Sequence, residues 1–277
     1  MPTVVAANAS APPASAQTPL IDGSSVNKQL KKFQRTLGLN KQEQEKLRNS
    51  IRQIESSLNL AEISAKTVFQ QQVGRIDACI EMTAIVSEAL GAKPSDTEAI
   101  IAKLSHQDIL SDGVFQQLAG HLSIYTEIMS HAVKQSGVSP EVIAASLNSA
   151  ELRDQTARNA LQQIAARADA VQEMAGLLAK QLGAPAAKLS TLSATASLND
   201  QLSDTVYQQM SARQAGLVKL LGAAALAQGA DPASVTAIES GMETDDILVK
   251  TAQQQYSARI KRGFEMTTVL AKAIVMK

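Results

Sequence analysis

Along most of the chain, apolar residues return at helical spacing. Between residues 61 and 90 they fall at Phe69, Val73, Ile76, Ile80, Val86 and Leu90, the three-to-four step that places side chains on one face of a helix. This stretch ends in Leu-Gly-Ala-Lys-Pro (90–94). The same punctuation returns as Ser-Gly-Val-Ser-Pro (136–140), Leu-Gly-Ala-Pro (182–185) and Gln-Gly-Ala-Asp-Pro (228–232). Glycine just past a helix takes the left-handed conformation without a Cβ clash. Proline opens the next helix because its missing N–H has no helical partner there. The pattern predicts long helices of roughly 28–32 residues, about 45 Å each. Each is followed by a short helix (94–104, 140–148, 185–193, 232–240) and a polar break at Asp108, Asp154, Asp200 and Asp246. An aspartate at such a break suits the start of the next helix by capping its free N–H groups.

The punctuation belongs to an internal repeat. Gln70-Gln71 recurs as Gln116-Gln117, Gln162-Gln163, Gln208-Gln209 and Gln254-Gln255, each step being 46 residues. The same step carries Arg75 to His121, Arg167, Arg213 and Arg259, and Glu81 to Glu127, Glu173, Lys219 and Glu265. The loop prolines 94, 140, 185 and 232 drift by one residue about that step. Several columns in one frame identify a stacked array. The fold class read from the chain is therefore all-α, a helical repeat array of about five 46-residue long-helix/short-helix units. Residues 61–277 hold the five copies, the last without its short helix. Residues 24–60 form an atypical opening unit, with Leu37-Gly38-Leu39-Asn40 as its helix break and a more charged helix over 41–58. Residues 1–23, rich in Ala, Pro and Ser and without periodic apolar positions, are expected to be a disordered tail. A short helix of ~10 residues spans only ~15 Å. Either the loops complete the return and successive long helices are parallel, or the short helix crosses the end of the bundle and they alternate.

Three columns have distinct chemistry. Met82, Ile128, Met174, Leu220 and Met266, with Val86, Ala132, Leu178, Ala224 and Leu270 four residues later, read as helical core. In the double-glutamine column, adjacent side chains point about 100° apart, so one of each pair is free for polar contact. A ladder of amides between helices, or between subunits, is one use; a polar helix former on a wet face is the bland one. Lys66, Asp112, Arg158, Asp204 and Lys250 alternate in charge at the 46-residue step. If long helices lie side by side in register, each charge meets opposite neighbours. The glutamine and charge columns are accordingly the candidate register or assembly residues.

Composition narrows the chemistry. The chain has 45 Ala, 26 Gln, only 14 Gly, no Trp, three Tyr and four Phe, which favours closely packed helices over a sheet. Lys plus Arg and Asp plus Glu are both 26, so a globally basic nucleic-acid binder is not expected, although an arginine column could touch phosphates. The single cysteine, Cys79, excludes an internal disulfide or a Cys-based zinc site. It shares a column with Tyr125, Val171, Leu217 and Gly263 and reads as a small buried hydrophobe. No phosphate-binding, dinucleotide, nucleophile-elbow or zinc-protease motif is present. Glu127 and His131 are one turn apart, with His121 nearby, but the pair occurs once and does not make the repeated carboxylate–histidine pattern of a bundle metal site. His121 replaces arginine in its column and reads as an Arg-like surface residue. No cofactor or metal is expected. No run reaches ~18 apolar residues, so no membrane span is expected. Residues 1–22 lack Lys and Arg, and their apolar stretch is broken by Asn, Ser and Pro, unlike a classical signal peptide. Their uncharged Ser/Thr-rich character is compatible with leaderless, type III-like export.

Residues 198–206, Leu-Asn-Asp-Gln-Leu-Ser-Asp-Thr-Val, resemble the Asn-Asp-Gln-hydrophobic-Ser/Thr-Asp opening of the R-body "killing trait" proteins. Those are small Ala/Gln-rich helical polypeptides that polymerise in bacterial cytoplasm. The likeness covers nine residues in one unit and transfers no site residue. It implies a structural rather than catalytic role. The expectation is a non-enzymatic bacterial scaffold or self-assembling subunit whose partner is itself or another protein, with a cytoplasmic location. The competing expectation is an effector or adaptor, secreted without a classical signal peptide, that binds a protein through the repeat face.

Overall fold

The computed structural model describes residues 39–276. The expected tail (1–23) and the first part of the opening unit (24–38) lie outside the described residues. Among the described residues every regular element is a helix: α1 (Lys41–Ser64), α2 (Val68–Ala89), α3 (Pro94–Ile101), α4 (Lys103–Leu110), α5 (Val114–Gln135), α6 (Pro140–Thr156), α7 (Ala160–Gln181), α8 (Ala186–Gln201), α9 (Val206–Ala227), α10 (Pro232–Leu248) and α11 (Ala252–Val275).

The glycine–proline punctuation works as read. Gly91, Gly137, Gly183 and Gly229 have φ between 88° and 102°. The following residue returns an N–H to a carbonyl five positions back, Ala92 to Ser87 and Ala230 to Ala225 among them. That is the bonding of a left-handed helix stop. The helix lengths differ from the sequence reading. The long helices α2, α5, α7 and α9 have 22 residues and α11 has 24, so most span about 33 Å. The intervening helices reach 16 or 17 residues in α6, α8 and α10, about 25 Å. They run straight through Asp154, Asp200 and Asp246, where the sequence suggested a break. The true start of each long helix lies further on: at four of the five the Thr67, Asn159, Thr205 and Thr251 side chains accept the N–H of Gln70, Gln162, Gln208 and Gln254, and α5 starts after Gly113 without a side-chain cap. The aspartates are therefore not N-caps but sit in or near the last turn of the preceding helix.

With both helices of comparable length, the return is nearly complete and the long helices are parallel. Bonds near both ends of the long helices keep nearly the same offset: Arg167 to the Ala119 carbonyl near the start, 48 residues apart, and Gln228 to the Leu182 carbonyl at the finish, 46 residues apart. α2, α5, α7, α9 and α11 pack in that order, and α11 packs back on α2. The five long helices thus form a closed ring. Outside it, α6 packs on α7 and α5, α8 on α9 and α7, and α10 on α11 and α9, while α3 and α4 share one place, interrupted at Ala102. α1 takes the remaining outer place, against α2 and α11. It turns Leu47, Ile51, Ile54 and Leu58 inward and is fastened by Lys272 Nζ to Glu55 Oε1 at 2.7 Å.

The core fills the ring and the layer between the two sets of helices. Both apolar columns are buried at every position. Cys79 and Tyr125 are buried in the interior as well. Ala, Ser and Thr dominate between these larger side chains, which lets neighbouring long helices approach closely.

Candidate interaction site

The arginine column fastens three helices at a time. Arg167 donates from Nε and Nη2 to Asp154 Oδ1 and Oδ2 (2.9 and 2.8 Å) and from Nη1 to the Ala119 carbonyl (2.6 Å). Arg213 makes the same bonds to Asp200 and Ala165, and Arg259 to Asp246 and Ser211. Each arginine joins its own long helix to the end of the preceding outer helix and to the backbone of the preceding long helix. A fork of donors matched to a carboxylate is the geometry guanidinium provides. This explains the aspartates: thirteen residues ahead of each arginine, they are its acceptors. Arg75 repeats the arrangement with Glu62 in the aspartate's place (2.7 Å) and the Ser257 carbonyl as backbone acceptor (2.7 Å). These guanidinium groups are engaged within the protein rather than held out for phosphates.

His121 departs from the sequence reading. It is buried, not a surface residue, with Nε2 at 2.9 Å from Asp108 Oδ1 and Nδ1 at 2.5 Å from Asp77 Oδ1. Burial pulls its pKa down, but the hydrogen bonds and charges of Asp77 and Asp108 outweigh this and raise it. Glu127 and His131 are separated into different contacts: Glu127 accepts from Lys103 Nζ (2.6 Å) and His131 Nδ1 meets Ser87 Oγ (2.8 Å). Among the described residues no group of three or more His, Cys, Asp or Glu is placed to hold a metal. Burial pushes the Cys79 thiol up to about 12, which keeps it protonated and unreactive.

The double-glutamine column does not form a ladder between helices. Gln70, Gln116, Gln162, Gln208 and Gln254 each turn back on their own helix start, and their Oε1 accepts the N–H of Lys66, Asp112, Arg158, Asp204 and Lys250 at 2.7–3.1 Å. They are capping residues, held in frame because each long helix begins at the same point of its unit. Within the second glutamine of each pair the uses diverge. Gln117 donates to Asp108 (2.6 Å) and Gln255 accepts from Ser211 Oγ across to α9 (3.1 Å), whereas Gln71, Gln163 and Gln209 are half-buried.

The alternating charges also differ from expectation. Lys66, Asp112, Arg158, Asp204 and Lys250 are exposed, and none makes an ion pair with its neighbours in the ring. They lie in the short links between outer and long helices, so they encircle one end of the ring, the end where the long helices start. Ring closure places Lys250 beside Lys66, since five positions cannot alternate around a circle.

That same end carries a feature the sequence reading did not single out. Leu60 and Ile63 on α1, Ile109 and Leu110 on α4, Leu152 on α6, Leu198 and Leu202 at the end of α8, and Ile247 and Leu248 on α10 are 53–83% exposed. Of the eleven large hydrophobic side chains exposed among the described residues, only Val142 and Met276 lie elsewhere. The signal is present in the frame, since Ile63, Ile109 and Ile247 are separated by multiples of 46 residues, but the polar residues beside them suggest a break rather than the last turn of a helix.

The wall between outer helices is grooved. One groove, about 630 Å³, runs between α6 and α8 over α7 and is lined by Ser146, Asp169, Glu173, Ser190, Ser193 and Ser197 among others. Its carboxylates are already engaged: Glu173 accepts from Ser146 Oγ (2.6 Å) and Arg153 (2.9 Å), and Asp169 pairs with Arg153 (3.3 Å). Burial raises the Asp169 pKa against the charges of Arg213 and Arg153. Among the described residues no helix is long and apolar enough to cross a membrane. No protein family, curated protein or solved structure matches the chain.

Proposed function

We propose that this chain is a non-enzymatic structural protein: five 46-residue helical units closed into a ring that self-assembles through an exposed apolar end. One observation carries the reading, the gathering of nearly all exposed large hydrophobic side chains at one end of the ring. Scattered apolar residues on a surface are ordinary, whereas a concentrated set marks a surface that another protein covers. A second observation supports it. The polar columns that repeat most faithfully are engaged within the chain, in capping and in arginine–carboxylate bonds. The stretch 198–206 that resembles R-body proteins supplies Leu198 and Leu202 to this end. Sedimentation velocity of the full chain over about a hundredfold concentration range tests the reading. The expected result is a species heavier than the 29.3 kDa monomer that grows with concentration. A monomer throughout overturns self-assembly.

A further inference from the structure

We infer that two copies of the chain associate face to face through the long-helix-start end of the ring, with Asp112 opposite Lys250 and Arg158 opposite Asp204 across the interface. The inference rests on the self-assembly reading and adds its surface, symmetry and register.

The symmetry follows from where apolar surface lies. Stacking rings head to tail would set the apolar rim against the other end, where Val142 on α6 and Met276 are the only exposed large hydrophobic side chains among the described residues. A rim meeting a second rim covers both. Such a contact is self-complementary about a two-fold axis and closes as a dimer, whereas a head-to-tail contact continues as a filament.

The register follows from the charges. Around the ring the order is Lys66, Asp112, Arg158, Asp204, Lys250. When one ring is turned over onto another, this order meets its own reverse, and five rotational settings exist. Three of them set like charge on like at most positions. In a fourth, Lys66 faces Asp204, Asp112 faces Arg158, and Lys250 faces its own copy. In the fifth, Asp112 faces Lys250, Arg158 faces Asp204, and Lys66 faces its own copy. The rim separates these two. In the fifth setting Ile109 and Leu110 meet Ile247 and Leu248, Leu152 meets Leu198 and Leu202, and Leu60 and Ile63 meet themselves. The three isoleucine-bearing pairs then face one another or their own copies, and the lone Leu152 faces Leu198 and Leu202, the least exposed pair (53 and 70%). In the fourth, Ile109 and Leu110 meet only Leu152. Complementary charge fixes orientation and apolar contact supplies affinity. The odd number of units also gives the otherwise unpaired alternation a use: these charges make no ion pair within one ring, but pair between two.

The test is sedimentation equilibrium of the full chain at low and high salt, beside thermal melts. Ile109→Ser with Ile247→Ser is expected to weaken the dimer at least tenfold at either salt and, at a dilution where both proteins are monomeric, to leave the melting temperature unchanged, because both side chains are exposed in the single chain. Val142→Glu, at the other end, is expected to leave the dimer intact. Asp112→Lys is expected to weaken the dimer at least tenfold at low salt and less at high salt, where exposed charges are screened. Adding Lys250→Asp is expected to restore it. Adding Arg158→Asp instead is not, since only the rejected setting would then be repaired. An assembly that survives the rim variant, or an Asp112→Lys defect that Lys250→Asp does not repair, overturns this interface while leaving self-assembly standing. A wild-type chain that stays monomeric overturns self-assembly and the interface with it.

Discussion

Arg75 Nη1 donates to the carbonyl of Ser257, 182 residues further along, at 2.7 Å. Arg167, Arg213 and Arg259 make the same bond to a carbonyl 48 residues back. One contact therefore serves three of the four consecutive joins and the join between last and first helices, while His121 meets Asp77 at the fourth. The Arg75 bond turns a linear array into a ring. A stacked repeat that stays open loses a terminal unit at modest cost, because each unit touches only its neighbours. A closed one loses two interfaces. Deleting residues 252–277 removes α11 and uncovers the inner faces of both α2 and α9. The truncated chain is expected to lose its cooperative melt, followed by circular dichroism; a clean transition only a few degrees lower would show that closure contributes little.

Arg213→Ala would leave the half-buried Asp200 carboxylate without its guanidinium donor and remove the added bond to the Ala165 carbonyl. Hydrogen bonds to charged groups contribute about 1.5–3 kcal/mol, so a loss of about 2–3 kcal/mol in urea unfolding is expected. Arg167→Ala should cost a similar amount, since its bonds are the same. A loss below about 0.5 kcal/mol, the range of ordinary surface changes, would mean that the fork is an ornament of the surface.

His121 gives the protein a pH dependence with a defined sign. Its folded pKa is raised above the ordinary 6.5, despite burial, by Asp77 and Asp108. Below about 6.5 the imidazolium is present in folded and unfolded chains alike, and its contribution to stability is complete. That contribution is lost as pH rises through the raised folded value. The melting temperature of the wild type should therefore fall across that window relative to His121→Gln. Parallel pH profiles for the two proteins would contradict the assignment.

Caps and core differ in weight. Asn159→Ala removes the side chain that accepts the Gln162 N–H at 3.0 Å and should cost about 1 kcal/mol. Gln162→Ala removes the reciprocal bond to the Arg158 N–H and should cost less than about 1 kcal/mol. Met174→Asp places a carboxylate at a fully buried position and should prevent folding or cost several kcal/mol. Comparable losses from all three, read by urea unfolding, would show the buried face to be misassigned.

Tyr256 is fully buried and its hydroxyl has no hydrogen-bond partner among the described residues. A buried polar group in that state costs about 1–3 kcal/mol. Tyr256→Phe keeps the ring and removes the hydroxyl, so stability should rise by about 1 kcal/mol in thermal or urea unfolding. A clear loss instead would mean that the hydroxyl is satisfied in solution.

The sequence by itself determined the elements and the inner faces. Glycine and proline fixed where long helices stop, the apolar columns at 82 and 86 named the core, and the shared 46-residue frame tied distant residues to equivalent roles. These are local or periodic properties, legible wherever the backbone's own chemistry decides. The glutamine, aspartate and charge columns are visible in the sequence but their partners are not, because a side chain's partner is set in space and not by its frame. Gln162 turned back to cap its helix, Asp154 turned to Arg167, and Lys66 and Asp112 stayed apart. Only the tertiary structure decided that the array closes. Closure needs each unit to rotate by one fifth of a turn, an angle set by how small and large side chains interlock between neighbouring long helices. No single residue encodes it, and it appears only when Arg75 meets Ser257. The same closure gathered the last turns of the outer helices into one apolar rim, which in the linear chain is only a scatter of Ile and Leu.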